Sequence, residues 1–340
     1  MGAIIMKRNM KQWAYDYIHA PEKKAMPILS FPGVQIIGHT VDQLVRSGEL
    51  QAQCMQAVSE RFDTGAAFSL MDLSVEAEAF GAPVCYSEDD VPTVHGILIH
   101  DEEEAEALKI PEVGAGRTGE CVEGIRKACE RIRNKPVLAG IIGPYSLAGR
   151  LLDMSEIMLL CFDEPEMVEM ILEKATAFLI QYAKAFKEAG ANGICMAEPA
   201  AGLLSPTLMD EFSTPYVQKV REAVEDENFI FMYHNCGNIS PLLDRIRALD
   251  MQAYSIGNAV DVEKVLKVIP EDRIVIGNID PAGTIRSGTP EKIRKETLEL
   301  LNRCGKYPNF VISSGCDIPP AAPLENIQAF FDAVKEYYTR

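Results

Sequence analysis

The chain has 340 residues, which at roughly 150 residues per domain allows two domains but also a single large α/β barrel. Its 47% hydrophobic and 24% charged residues are those of an ordinary globule and exclude collagen-like, disordered and all-membrane classes. With 33 basic against 50 acidic residues the formal charge is −17; such a surface repels a phosphate backbone, so nucleic acid is not an expected partner, whereas a small molecule or a protein is.

Residues 1–24 read as an N-terminal helical extension, with no apolar stretch long enough for a signal peptide. The first short apolar run covers 27–31 and the second 66–71. A long excursion, 72–135, follows, carrying an acidic stretch at 101–106. That stretch reads as a solvated helix start favoured by the helix dipole, with a docking surface for a partner protein as the other use. Further runs lie at 136–142, 193–197, 229–233, 252–256, 273–277 and 309–313. All are continuous rather than alternating, as strands buried on both faces are.

Helical patterns separate the later runs. One spans 164–189, with Asp163 as its N-cap and Pro165 in its first turn; Ser205-Pro206 and Thr289-Pro290 open two more. Eight strands alternating with helices predict a (β/α)8 TIM barrel, a single domain over 1–340 with a long insertion after strand 2. A two-domain doubly wound protein is the alternative. No 18-residue apolar run occurs, so no membrane span is expected. Nine scattered cysteines suit a reducing cytoplasm, where Cys and His together suggest metal or catalysis rather than a disulfide.

In such a barrel the chemistry sits at the C-terminal strand ends. The residues there are Asp72, the Gly143-Pro144-Tyr145 turn, Glu198, His234 with Cys236, Ser255, Asn278 with Asp280, and Ser314 with Cys316. No phosphate-cradling loop of the G-x-x-x-x-G-K-[ST] type occurs. The sharpest constellation is His234-Asn235-Cys236 with Cys316: one imidazole and two thiols are the donors Zn²⁺ prefers, leaving a fourth position for substrate. The competing reading makes the two cysteines small loop residues and His234 a polar strand cap. Zinc on two thiolates carries little net positive charge, so it activates water poorly but holds a thiolate that stays nucleophilic. The chemistry that follows is alkyl transfer to sulfur. Glu198 and Asp72 stand as catalytic candidates. Tyr145, Arg150, Asn278 and Asp280 stand as substrate-binding candidates, although Tyr145 could equally cover the barrel top and Arg150 be a solvated helix residue.

Five segments carry a resemblance: Asp72-Leu-Ser-Val-Glu-Ala-Glu-Ala-Phe-Gly81, Gly143-Pro-Tyr-Ser-Leu-Ala-Gly149, His234-Asn-Cys-Gly-Asn238, Gly277-Asn-Ile-Asp-Pro281 and Gly315-Cys-Asp-Ile-Pro-Pro-Ala-Ala-Pro-Leu-Glu-Asn326. They resemble the uroporphyrinogen decarboxylase superfamily, and within it the methylcobamide:coenzyme M methyltransferase branch. The resemblance implies a TIM barrel, zinc on His234, Cys236 and Cys316, and methyl transfer between a corrinoid and a thiol such as coenzyme M. The chain has no D-x-H-x-x-G corrinoid motif, so the methylated corrinoid is expected from outside, on a separate corrinoid protein.

Decarboxylases of the superfamily share an aspartate like Asp72. They carry an R-Q-A-G-R segment where this chain has Ser30-Phe-Pro-Gly-Val34, a tyrosine at Arg150 and a histidine at Cys316. Decarboxylase activity is therefore not expected, and a tetrapyrrole- or corrinoid-binding protein is the alternative function. Zinc methyltransferases of this type often place an acidic residue after the sixth strand. Here that stretch is Tyr254-Ser-Ile-Gly-Asn258, which leaves the fourth ligand open between Glu198 and a water.

Overall fold

The computed structural model describes residues 8–339. Its strands are β1 (Ala67–Phe68), β2 (Val84–Cys85), β3 (Thr93–Val94), β4 (Val137–Ile142), β5 (Gly193–Ala197), β6 (Ile230–Asn235), β7 (Ala253–Ile256), β8 (Ile274–Ile279) and β9 (Phe310–Ser314). Seven of them form one parallel sheet in the order β1-β4-β5-β6-β7-β8-β9, and β2 and β3 pair as a separate antiparallel hairpin. Both faces of the seven-stranded sheet are covered, which is why its strands are continuous apolar runs. Alternate residues serve different cores: Ile230 and Met232 of β6 meet Phe68, Leu138, Cys195, Ile274 and Val311 in an inner cluster, whereas Phe231 and Tyr233 join the outer cluster under the helices.

The expected first strand, 27–31, is not a strand. Pro27 has no N–H to give a ladder, and Phe31–Gly33 turns into a 3₁₀ helix. The extended residues before it still touch both edges of the sheet. Met26 N–H donates to Ile312 O of β9 at 3.0 Å, and Ala25 O accepts from Gly65 N–H, two residues before β1, at 2.8 Å. Met26 and Ile28 are buried in the inner cluster.

The excursion 72–135 is only partly an insertion. Its last element, the helix Thr118–Arg131, packs beside the helix Gly48–Arg61 and is the crossover between parallel strands β1 and β4. The added material is the short helix Val75–Phe80, the β2/β3 hairpin and the helix Glu102–Ala107. The acidic run is a solvated helix start: Asp101 caps the last of these helices by accepting from Glu104 N–H, and Glu102, Glu103 and Glu104 fill its first turn.

The long helix begins at Pro165 with Glu164 as its N-cap; Asp163 instead ends the preceding helix, Ile157–Asp163. Its buried residues Val168, Ile171, Leu172, Ala175, Leu179, Tyr182 and Phe186 recur at three- and four-residue steps. Ser205 and Thr289 cap their helices as expected, accepting from Leu208 and Lys292 N–H. Among the described residues no helix is long and apolar enough to cross a membrane.

Within the expected N-terminal extension, the helix Met10–His19 plugs the inner cluster from the end where the strands begin. Met10, Ala14 and Ile18 form its buried stripe, and Met10 N–H donates to Glu227 O, just before β6, at 2.7 Å. Ile18→Ala is expected to lower unfolding stability by about 2–4 kcal/mol, while Tyr15→Ala, at a position 59% exposed, should change it by less than about 0.5 kcal/mol. Urea unfolding of both variants checks this, and equal effects would show that the helix is only loosely applied.

Candidate metal centre

Strand alternation sets the site. Position 232 faces the inner core, so His234 and Cys236 face the same way at the C-terminal end of β6, and Asn235 faces out. His234 is level with Ala197 of β5 and Ser255 of β7. Its Nδ1 lies 2.9 Å from Ser255 Oγ, while its Nε2 is buried with no hydrogen-bond partner. Ring orientation fixed through one nitrogen, with the other left over, is the arrangement of a metal-ligating histidine. Ligand atoms of His234, Cys236 and Cys316 all lie within 4.8 Å of one another.

Two glycines permit this convergence. A Cβ on Gly257, in the loop after β7, would stand 2.4 Å from Cys236 Cα, and one on Gly315 would stand 2.7 Å from Asn258 N. The loop after β7 is thus wedged between the two cysteine-bearing loops, and a side chain at either glycine would spread them. The Asn278 amide braces that loop from β8, donating to Gly257 O at 2.9 Å and Val260 O at 2.7 Å. The thiols act on each other as well. Hydrogen bonding to Cys316, helped by His234, pulls the Cys236 thiol down in pKa, while the same bond and burial push Cys316 up, so the pair holds one proton more tightly than the other.

The remaining candidates are placed elsewhere. Glu198 follows the inward Ala197 and therefore points out among the helices. Its Oε1 accepts from Ser146 N–H at 2.6 Å and its Oε2 from Tyr145 N–H at 3.1 Å, so it holds the N-terminus of the helix Pro144–Leu152 and is not in the metal cluster. Asp72 is ion-paired with Arg117, which also bonds Glu78 and Ser74, and its other oxygen accepts from Ser74.

Tyr145 is fully buried with its phenol 3.8 Å from the Cys161 thiol, a packing position rather than a substrate contact. Asp280 caps the turn Pro281–Arg286, accepting from Ala282 and Gly283 N–H at 2.9 Å. Arg150 alone keeps its donors free: half-buried, it has no hydrogen bond or ion pair among the described residues, and burial lowers its pKa against the opposing field of Asp72.

Arg117 and Gly257 have roles that sequence spacing did not point to, and Ser255, one of the strand-end residues, had no partner assigned to it. The i, i+2 alternation along 252–256 was available to place Ser255 inward; nothing local pairs Arg117 with Asp72, 45 positions away. Asp317 was likewise passed over. It sits beside Cys316 with Oδ1 buried and unpartnered, its Oδ2 accepting weakly from Met71 N–H at 3.4 Å.

The family model for uroporphyrinogen decarboxylase (URO-D) matches residues 21–337, and the chain belongs to that family. It is 27% identical over 312 residues to the methylcobamide:CoM methyltransferase MtbA of Methanosarcina acetivorans, covering 88% of this chain and 90% of that one. A uroporphyrinogen decarboxylase of Prochlorococcus marinus is 28% identical over 237 residues, covering 66% of this chain and 64% of that protein. A solved methyltransferase from Methanosarcina mazei superposes with a TM-score of 0.85 at 26% identity, over 97% of this chain and 98% of that one.

Several buried carboxyls, Glu198, Glu76, Asp317 and Glu225 among them, are raised by burial and give the fold a pH dependence. Burial pushes both Glu198 and Glu76 up to about 7 from an ordinary value of 4.5. Between those values the folded state keeps protons that the unfolded chain has lost, so stability falls as pH rises through this window and levels off above it. Glu198→Gln removes one of these contributions, on the order of 3 kcal/mol. Relative to the parent, the variant should therefore be favoured more at pH 8 than at pH 4.5. Urea midpoints at the two pH values test this, and a parallel offset at both would place the Glu198 proton elsewhere.

Proposed function

We propose that the chain is a single-domain (β/α)8-barrel methyltransferase in which the extended residues 25–30 take the place of the first strand. It moves a methyl group between a methylated corrinoid, carried by a separate corrinoid protein, and a small thiol. The observation that carries the reading is the buried, unpartnered His234 Nε2 facing two thiols at the C-terminal strand ends. These residues fit zinc in donor type and number.

His234, Cys236 and Cys316 would hold the ion. Zinc bound by two thiolates and an imidazole supplies deprotonation of a substrate thiol that remains nucleophilic. The chain's own residues do the rest. Ser255 holds the Nδ1 side of the imidazole, so that Nε2 presents its lone pair. Gly257, braced by Asn278, keeps the two cysteine loops together. Arg150, half-buried with free donors, offers an anchor for an anionic group on the thiol.

The decarboxylase alternative loses support from the same structure. Asp72 is engaged by Arg117, and residues 30–34 are buried against the helix Gly48–Arg61 rather than presenting cations. Nine free thiols, two of them adjacent, suit a reducing cytoplasm.

Protein purified without chelator should carry about one zinc per chain, and Cys316→Ala should lose most of the zinc together with methyl transfer from methylcobalamin to a small thiol. Full zinc retention in the variant would remove the assignment. Zinc present but no transfer to any thiol would favour a corrinoid-binding protein. Arg150→Gln should raise KM about tenfold or more for a thiol bearing a sulfonate or carboxylate, and leave a neutral thiol nearly unchanged. An equal rise for both would make Arg150 a packing residue.

A further inference from the structure

At the opposite end of the strands from the metal site, where β1 and β4 begin, lies a cavity of about 560 Å³. Its lining includes Gln56, Ser59, Arg61, Arg133, Asn134 and Lys135. The chain as a whole is strongly acidic, yet cations converge here. Lys135 is only 7% exposed, and its ammonium meets two neutral acceptors, Ser59 O at 3.3 Å and Thr64 Oγ1 at 3.1 Å. A buried ammonium normally has a counter-charge. The nearest carboxylate exerting a field on it, Asp63, is already paired with Lys24 at 2.7 Å.

Arg61 and Arg133 are exposed at the mouth, and neither has a carboxylate partner among the described residues. Arg133 Nε donates only to Glu130 O, and its own carbonyl accepts from Arg8. The other acid at the rim, Glu60, accepts from Gln56.

Part of this has a plain cause. Arg61 and Arg131 end the helices Gly48–Arg61 and Thr118–Arg131, where a cation complements the helix dipole, and Arg131 is further satisfied by Glu49 at 2.6 Å. The dipole does not account for Lys135, which lies beyond the helix in the approach to β4 and is desolvated without an ion-pair partner, nor for Arg133 beside it.

We propose that this cavity is a binding site for a phosphate-type oxyanion, with Lys135 at its base and Arg61 and Arg133 at its mouth. Its volume exceeds what inorganic phosphate fills and is within the range of small-molecule sites, so the phosphate end of a larger metabolite is the occupant the geometry favours. Because the cavity and the His234 cluster sit at opposite strand ends, such a ligand acts as a stabiliser of the fold and not as a substrate.

The full-length protein is titrated with inorganic phosphate, pyrophosphate, AMP and ATP at fixed pH and ionic strength, with chloride as the balancing anion. Calorimetry and thermal melting are the readouts. At least one of the four should bind saturably and raise Tm above the chloride control. In Arg61→Gln/Arg133→Gln, two exposed positions whose exchange leaves the fold intact, its Kd should weaken about tenfold or more. Lys135→Met should abolish the response and, without anion, be at least as stable as the parent, because an unpaired buried charge is gone. If that variant does not fold, the double variant decides. Tighter binding of AMP or ATP than of pyrophosphate assigns the site to an organic phosphate, and the reverse to an inorganic one. No saturable binding of any of the four, a melting shift matched by chloride at the same ionic strength, or an unchanged Kd in the double variant would overturn the proposal.

Discussion

In a parallel strand buried on both faces, successive residues belong to different cores, and the consequences of that alternation reach every functional group of this protein. Along β6 the inner positions carry Ile230, Met232 and His234, and the outer ones Phe231, Tyr233 and Asn235. The same count on β5 and β7 turns Ala197 and Ser255 inward and Glu198 outward. A one-residue slip of β6 would exchange His234 for Asn235 and bury the imidazole among helices. The five residue pairings between β5 and β6 and the four between β6 and β7 are therefore as much a part of the candidate metal site as the three donor residues.

The outward residues are not idle. Asn235 reaches back across the strand ends, its amide nitrogen donating to Glu198 O at 2.6 Å while its carbonyl oxygen accepts from Gly237 N–H at 2.8 Å. It thereby ties the loop bearing Cys236 to the end of β5. Glu198 continues outward to the first turn of the helix Pro144–Leu152, and Arg150 rides on that helix. One chain of hydrogen bonds thus runs from beside the ligands to the helix carrying the free guanidinium. Glu198 has both oxygens accepting from backbone N–H groups. Its value lies in fixing where the helix starts.

Local chemistry was legible in the sequence wherever it depended on spacing within one element. The apolar runs located seven strands, proline after Ser or Thr located helix starts, and the H-x-C triplet lay on one face because strand periodicity is two. The first run, 27–31, failed as a strand because an apolar pattern does not register the N–H that Pro27 lacks. The partners of Asp72 and Glu198 were not legible for another reason. Position at a strand end says nothing about a partner such as Arg117, nor about whether the last side chain turns in or out once the strand extends a residue or two beyond its apolar run. β6 and β8 do extend so, to Asn235 and Ile279, and this moved Asn278 from a free loop position into the ladder, where its amide braces the loop carrying Gly257.

The requirement for glycine at 257 and 315 follows from contacts between loops that no single stretch of sequence displays. Three loops, after β6, β7 and β9, must pass within van der Waals contact for two thiols 80 positions apart to come together, and backbone alone is thin enough to stand between them. A side chain in the middle loop would leave each cysteine individually intact and the site nonetheless open. One imidazole and two thiols are donors that suit zinc, but the absence of two Cβ atoms is what allows them to meet.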